Sequence, residues 1–229
     1  MRCVANSRSV PRPEYLSSFG RNRGRSLRPY QQGLIDDLLP TLAVDLDQPL
    51  VGLGAQVALE IGFGGGEHLL AQAIHNPHIS FIGCEPYING VAKLLTGIDQ
   101  QNVKNIRLYA GDARLIVEAL PDASVESVFI LFPDPWPKAR HNKRRLVNAE
   151  TLKMLARVHK KGGRLLLATD HVDYSVWMLE VLLASDDYEW TAKEQADWST
   201  PPADWTQTKY QRKTTEQGRP PLFFECVRK

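Results

Sequence analysis

Three features of the sequence predict an α/β fold built on a mainly parallel sheet with helices on both faces. Short apolar runs alternate with stretches of helical character from Gln56 onward. The fourth run, residues 125–132, is apolar almost throughout, as a strand covered on both faces must be. Glycine-rich or acid-bearing turns follow the first three runs, where an open parallel sheet keeps its ligand crevice.

Taken in order, residues 31–39 read as a short amphipathic helix stopped by Pro40, which has no N–H for a helix interior. Val57–Ile61 is a buried strand, and Glu67–His75 a helix that opens after a glycine turn. Residues 79–84 form the second strand and 87–98 the second helix, with Pro86 where a helix begins. The third strand covers 106–110 and the fourth 125–132. A longer helix over 145–160 ends at Gly162-Gly163 and leads into a fifth strand, 164–168. A helix over 174–184 follows, and strands 188–192 and 222–227 flank a polar, proline-containing loop. No internal repeat or low-complexity tract interrupts the pattern. The expected organisation is one domain, residues 30–229, preceded by a basic arm, residues 1–29, with no sustained periodicity.

Composition narrows the class. A chain of 229 residues with 43% hydrophobic and 24% charged residues is long enough for one sizeable α/β core, and no window of 18 apolar residues is present to cross a membrane. Cys3, Cys84 and Cys226 are far apart and form no C-x-x-C pair, which fits a reducing, cytoplasmic compartment. The six histidines, His68, His75, His78, His141, His159 and His171, show no ligand pairing, so no metal site is expected. Nothing in the sequence reports the oligomeric state.

The net charge of +2 hides two local clusters. The arm carries Arg2, Arg8, Arg12, Arg21, Arg23, Arg25 and Arg28 against the single acid Glu14. Residues 138–145 carry Lys138, Arg140, Lys143, Arg144 and Arg145 with no acid. Arginine forks suit phosphate oxygens, so clustered cations on a near-neutral body point to a polyanion bound at one place, or else to a solvated face. The arm lacks the apolar centre of a secretory signal, and its Arg-rich, acid-poor character is shared with organellar transit peptides.

The chemistry gathers after the strands. The first strand ends in Glu60-Ile61-Gly62-Phe63-Gly64-Gly65-Gly66, a turn that lets the backbone approach a ligand at a helix N-terminus. The dinucleotide fingerprint G-x-G-x-x-G fails, because Glu67 stands where its third glycine belongs, and an acid there is a poor neighbour for a pyrophosphate. Glu60 just before the turn suits a cationic ligand such as S-adenosylmethionine. Glu85, after the second strand, is placed to accept from both hydroxyls of a ribose, a role that serves S-adenosylmethionine and NAD equally. Asp112, after the third strand, is either a helix cap or an acceptor beside an adenine. After the fourth strand, Pro133, Pro135 and Pro137 surround Asp134 and Trp136 and stiffen a loop that presents a carboxylate and a flat ring, the pair needed to hold a nucleobase by its edge and its face. Lys138-Ala139-Arg140-His141-Asn142-Lys143-Arg144-Arg145 follows directly and would hold phosphates beside that pocket.

Assembled, these residues make the chain similar to the bacterial tRNA (guanine-N7-)-methyltransferase family, from about Phe19 to the C-terminus. The stretch Pro133-Asp134-Pro135-Trp136-Pro137-Lys138-Ala139-Arg140-His141-Asn142-Lys143-Arg144-Arg145 carries the resemblance most specifically. Glu60-Ile61-Gly62-Phe63-Gly64, Thr169-Asp170, Thr208-Lys209-Tyr210 and the arm segment Phe19-Gly20-Arg21-Asn22-Arg23-Gly24-Arg25 support it, the last against the transit-peptide reading. The resemblance implies a Rossmann-like class I methyltransferase with a seven-stranded sheet whose C-terminal strand is antiparallel. It implies S-adenosylmethionine as cofactor, held by Glu60, Gly62, Gly64, Glu85, Asp112 and Asp134, with Asp134 also catalytic. Lys138, Asp170, Thr208, Lys209, Tyr210 and Gln211 would bind substrate, and Arg140, His141, Asn142, Lys143, Arg144 and Arg145 would contact RNA. The implied target is guanosine 46 in the tRNA variable loop. Gln211 departs from the acid usual after Thr-Lys-aromatic and supplies no negative charge. Two other classes stay open on the sequence: an NAD-dependent oxidoreductase, which leaves Glu67 and the basic stretch unexplained, and a non-catalytic RNA-binding protein on a methyltransferase fold.

Overall fold

Strand β1 (Val57–Ile61) is buried at every position, because its two rows of side chains face two different helical layers. Parallel to it on one side lie β2 (Ser80–Cys84) and β3 (Ile106–Tyr109), and on the other β4 (Val125–Leu131) and β5 (His159–Thr169). Strand β7 (Leu222–Arg228) runs antiparallel to β5 and carries β6 (Tyr188–Trp190) antiparallel at the edge. Among the described residues the seven-stranded order is β3-β2-β1-β4-β5-β7-β6, with β7 alone reversed. This computed structural model describes residues 24–46 and 54–229. The greater part of the expected arm, including Arg2, Arg8, Arg12, Arg21 and Arg23, lies outside the described residues.

One face of the sheet, with Leu59, Ile61, Val128, Ile130, Leu165 and Leu167, packs against α5 (Ala113–Ala119), α6 (Ala149–Val158) and α7 (Val172–Leu183). The other, with Ala58, Phe129, Leu131 and Leu166, packs against α3 (Glu67–His75) and α4 (Ile88–Gln101) and the N-terminal helical segment. Two short helices near the C-terminus, α8 (Ala196–Ser199) and α9 (Lys209–Glu216), complete the layers. Strand order reverses between β1 and β4, so their C-terminal tips flank the crevice where such sheets bind ligands. Among the described residues no helix is long and apolar enough to cross a membrane.

The structure differs from the expected elements where proline and polar residues mask the pattern. The N-terminal helix does not stop at Pro40. It runs through α1 (Pro29–Gly33), a π-helical segment (Leu34–Leu38) and α2 (Leu39–Leu42), and Pro40 falls in the first turn of α2. The wider π turn sends the Leu39 N–H to the Leu34 carbonyl and puts the proline's missing N–H at the seam between segments, where it breaks no regular ladder. The helix expected over 145–160 is shorter. Residues Ala139–Arg144 make a 3₁₀ turn, and α6 starts only after Asn148, whose side chain accepts from the Thr151 N–H at 2.9 Å. Extended chain resumes at His159, which pairs with Val125 across a bulge in β5. Helix α9 lies in the stretch expected to be a loop. Only Gln211 and Thr214 are buried on it, so it shows no apolar period.

His159 couples this frame to pH. Its ring is buried between the Tyr188 hydroxyl and the Glu126 carbonyl, both at 3.2 Å, and burial lowers its pKa to about 4. An unfolded histidine titrates near 6.5, so between those values the unfolded chain binds more protons and stability falls as pH drops, by on the order of 2–3 kcal/mol across the window. Urea unfolding of wild type and His159→Gln at pH 4.5 and 7.5 is expected to show a clearly weaker pH dependence in the variant. Equal dependence would remove His159 from this role.

Candidate active site at the strand tips

The turn between β1 and α3 is left-handed at Gly62, Gly64 and Gly66, with φ of 73°, 55° and 74°, values that residues with a Cβ avoid. The three N–H groups are already spoken for: Gly62 donates to the Cys84 carbonyl at 2.8 Å, Gly64 to Glu85 Oε2 at 2.7 Å and Gly66 to the Phe63 carbonyl at 2.8 Å. Glu85 thereby braces the turn, and its Oε1 accepts from the Tyr87 N–H at 2.9 Å. Burial raises the Glu85 pKa, and the nearby Asp134 carboxylate adds to the rise against those two N–H groups.

Above the tips opens a cavity of about 730 Å³, within the range of small-molecule sites. Gly62, Gly64, Glu85, Asp112, Asp134 and Trp136 are on its wall. Asp112 fulfils the capping alternative and still faces the cavity: Oδ1 accepts from the Arg114 N–H at 3.1 Å and Oδ2 pairs with Arg114 Nη2 at 2.6 Å. Glu60 does not line the cavity. The alternation of β1 turns it, with Ala58, toward the α3 side, where it is buried against His68 Nδ1 at 2.7 Å. That parity is readable from sequence once β1 is placed.

The proline loop after β4 is strained and clamped. Phe132 and Trp136 sit at φ of 53° and 45°, a region costly for non-glycine residues and held only where surroundings enforce it. The clamp is Arg145. Its Nε donates to the Pro135 carbonyl at 2.9 Å, its guanidinium pairs with Asp173, and it lies 5.0 Å over the Tyr174 ring and 5.1 Å over Trp177. Arg145 therefore parts from its neighbours: it is fully buried and ties the loop to α7 instead of facing solvent as an RNA contact. Asp134 itself is exposed. Arg144 lies 5.0 Å over Trp136, and His141 meets that ring edge-on at 6.0 Å. Desolvation and the cations of Arg144, Lys138 and Lys143 lower the His141 pKa. Lys138, Arg140 and Lys143 are exposed around this turn, and Asn142 is half-buried in it.

The expected substrate residues adjoin the cavity through Phe132, which lines it and packs on Tyr210 with ring centroids 5.2 Å apart. Asp170, buried at the end of β5, accepts from Tyr210 Oη at 3.1 Å and Arg219 Nη1 at 2.5 Å. Thr208 caps α9 by accepting from the Gln211 N–H at 3.1 Å, and Lys209 follows with its side chain exposed. Gln211 is turned inward, its Oε1 accepting from Trp205 Nε1 at 2.7 Å, so its amide serves the interior. Arg219, Trp205 and Gly90 were missed by the sequence reading; none stands in a motif, and contacts distant in sequence give them their places. Among the described residues no cluster of His, Cys, Asp and Glu could hold a metal ion.

Residues 54–223 match a sequence profile of a family described as "Putative methyltransferase". A tRNA (guanine-N(7)-)-methyltransferase of Caulobacter vibrioides is 49% identical over 217 residues, 93% of this chain and 95% of that protein. Its counterpart in Zymomonas mobilis is 44% identical over 215 residues, 92% and 93% of the two chains. The chain belongs to the tRNA (guanine-N(7)-)-methyltransferase family. Solved structures agree on the fold alone. An rRNA methylase of Streptococcus thermophilus aligns at a TM-score of 0.52 and 12% identity over 90% of this chain and 99% of that one. A precorrin-6y C5,15-methyltransferase of Geobacter metallireducens aligns at 0.53 and 16% over 80% and 85%. The fold is therefore that of the Rossmann-like class I methyltransferases.

Proposed function

We propose that this chain transfers a methyl group from S-adenosylmethionine to N7 of guanine in tRNA, at guanosine 46 of the variable loop, in the cytoplasm. The observation that carries the reading is the meeting of two kinds of surface at one cavity: Glu85, Asp112 and Asp134 on its wall, and beside them Lys143 and Arg144 of a basic turn that stacks on Trp136. The residues fit the cofactor. The N–H groups of Gly62, Gly64 and Gly66 are spent within the protein and Glu67 stands at the start of α3, which disfavours a pyrophosphate and hence NAD, while the carboxylates suit an ammonium, a sulfonium and ribose hydroxyls. When bound, S-adenosylmethionine supplies an electrophilic methyl group.

Guanine N7 attacks without losing a proton, so the protein's task is alignment more than base catalysis. Glu85 and Asp112 hold the cofactor's adenosine end and Trp136 stacks near the base. Asp134 orients the reacting groups, and its charge stabilises the positive charge that develops on the purine. Asp170 and Tyr210 hold the guanine edge, while Thr208 and Lys209 set the start of α9 that presents Tyr210. Glu60, placed behind the turn, supports it through His68. Lys138, Arg140, Lys143 and Arg144 face the RNA.

Methyl transfer from labelled S-adenosylmethionine to unmodified tRNA, with the product nucleotide mapped, tests the reading. N7-methylguanosine at position 46 is expected. No transfer would leave a non-catalytic RNA binder, and a label elsewhere would correct the target. The basic turn has its own test. Arg140→Ala with Lys143→Ala is expected to weaken tRNA binding at low salt and to lessen the slope of log K against log[salt] by up to about 2, each phosphate contact contributing about 0.7–0.9. An unchanged slope would return both side chains to the solvated face.

A further inference from the structure

Glu67 disfavours a pyrophosphate at the turn, and the structure also gives it a positive task. Its Oε2 accepts from the backbone N–H of Lys209 at 2.9 Å, and its Oε1 from Lys93 Nζ at 2.8 Å. Lys209 is the first residue of α9 and Glu67 the first of α3, so one carboxylate sits at two helix N-termini, where the helix dipoles favour negative charge. The rest of α3 carries the chain that leads into α9. Gln72 Nε2 donates to the Asp204 carbonyl at 2.7 Å, and the His68 ring lies 5.2 Å from Trp205, whose indole holds Gln211. α3 itself follows directly on Gly66, the last residue of the turn under the cavity, so Glu67 adjoins that turn as well. Tyr210, next after Lys209, reaches Asp170 and packs on Phe132 at the cavity wall. A single helix therefore joins the turn that meets the cofactor to the segment that meets the acceptor base.

We infer that Glu67 is a positioning residue that holds the start of α9 in register with the glycine turn, so that cofactor and tRNA each bind more tightly in the presence of the other. The inference rests on the function proposed above. Its physical basis is shared placement: the ligand that binds first sets the Thr208–Gln211 segment against α3 through the Glu67 bond, and the second meets that placement already made. Linkage requires the two enhancements to be equal.

The test uses the full chain, S-adenosylhomocysteine and an unmodified tRNA transcript. Wild type is expected to bind S-adenosylhomocysteine at least about fivefold more tightly with saturating tRNA, and tRNA more tightly by the same factor with saturating S-adenosylhomocysteine. Glu67→Ala is expected to bring that ratio close to one while S-adenosylhomocysteine affinity alone stays within about threefold. Lys93→Ala, which breaks the ion pair and leaves the Lys209 N–H bond, is expected to keep the ratio. Glu67→Gln, whose amide oxygen accepts the same N–H, should restore most of it. A purely structural role would weaken both ligands and leave the ratio unchanged in Glu67→Ala, which overturns the inference. A wild-type ratio of one also overturns it and leaves methyl transfer standing, whereas a wild type that binds no tRNA overturns both.

Discussion

Asp134→Ala is expected to lower kcat for methyl transfer by roughly 10²–10³-fold, the loss found when one preorganised charge-stabilising group is removed, with tRNA affinity little changed. The expectation follows from where the residue stands. Asp134 is exposed on a loop whose shape is fixed without it, by three prolines and by the Arg145 bond to the Pro135 carbonyl. Truncating it therefore leaves the fold and the basic turn in place. Its carboxylate lies close enough to Glu85 to help raise that acid's pKa, and both residues line the same cavity. Asp134→Asn separates charge from shape: it keeps a side-chain oxygen for orientation and loses the charge that would meet the cationic purine. Asn is expected to fall between wild type and Ala. Single-turnover rates with S-adenosylhomocysteine titrations check both variants. Turnover unchanged in Asp134→Ala would take the residue out of the mechanism, and a fall in tRNA affinity equal to the fall in kcat would make it a binding group instead.

The parts of this protein that were legible in its sequence are those in which local pattern and tertiary role agree. Strands β1, β2, β4 and the buried half of β5 read as apolar runs because both their faces meet helices. Glu85, Asp112 and Asp134 stand out in the sequence because a parallel sheet sends its chemistry to one edge, and the structure brings these three to one cavity. The failures at Arg145 and α9 share a cause, a residue whose role is set by partners far along the chain. Nothing within residues 138–145 marks Arg145 as the buried member of a cationic run. That depends on Asp173, Tyr174 and Trp177, about thirty residues later, forming a socket for it. Helix α9 was invisible for a related reason. It is held by Thr208, Glu67 and the Trp205–Gln211 bond, not by an apolar stripe, so no periodicity announces it. Gln211 then has a physical account as an interior acceptor for an indole N–H, a task for which an uncharged amide is suited in a buried setting.

Gly90→Ala is expected to damage the cofactor site from behind, although alanine is ordinarily the better helix former by about 0.5–1 kcal/mol. Gly90 is the third residue of α4, buried, with its N–H donated to the Tyr87 carbonyl at 2.8 Å. A Cβ there would lie 2.2 Å from the carbonyl oxygen of Gly64 and 3.4 Å from Glu85 Cγ. The oxygen belongs to backbone, and the Gly64 peptide is fixed by its left-handed φ and by its N–H bond to Glu85, so it has little room to withdraw. Either α4 moves out or the turn moves up into the cavity. Overpacking of this kind costs about 1–3 kcal/mol, and because the displaced groups are those proposed to meet the cofactor, S-adenosylhomocysteine affinity is expected to fall by roughly 10–100-fold. Gly97→Ala in the same helix supplies the contrast. The nearest atoms its Cβ would meet all belong to Leu70, with Cδ2 at 2.4 Å, the far end of a half-buried, flexible side chain. That variant is expected to be neutral or to gain up to about 1 kcal/mol from helix propensity. Thermal unfolding and S-adenosylhomocysteine calorimetry on the two variants decide between them. Equal, small effects at both positions would mean that the approach of α4 to Gly64 is loose, and that Glu85 alone, without the helix pressed against the turn, sets the cofactor site.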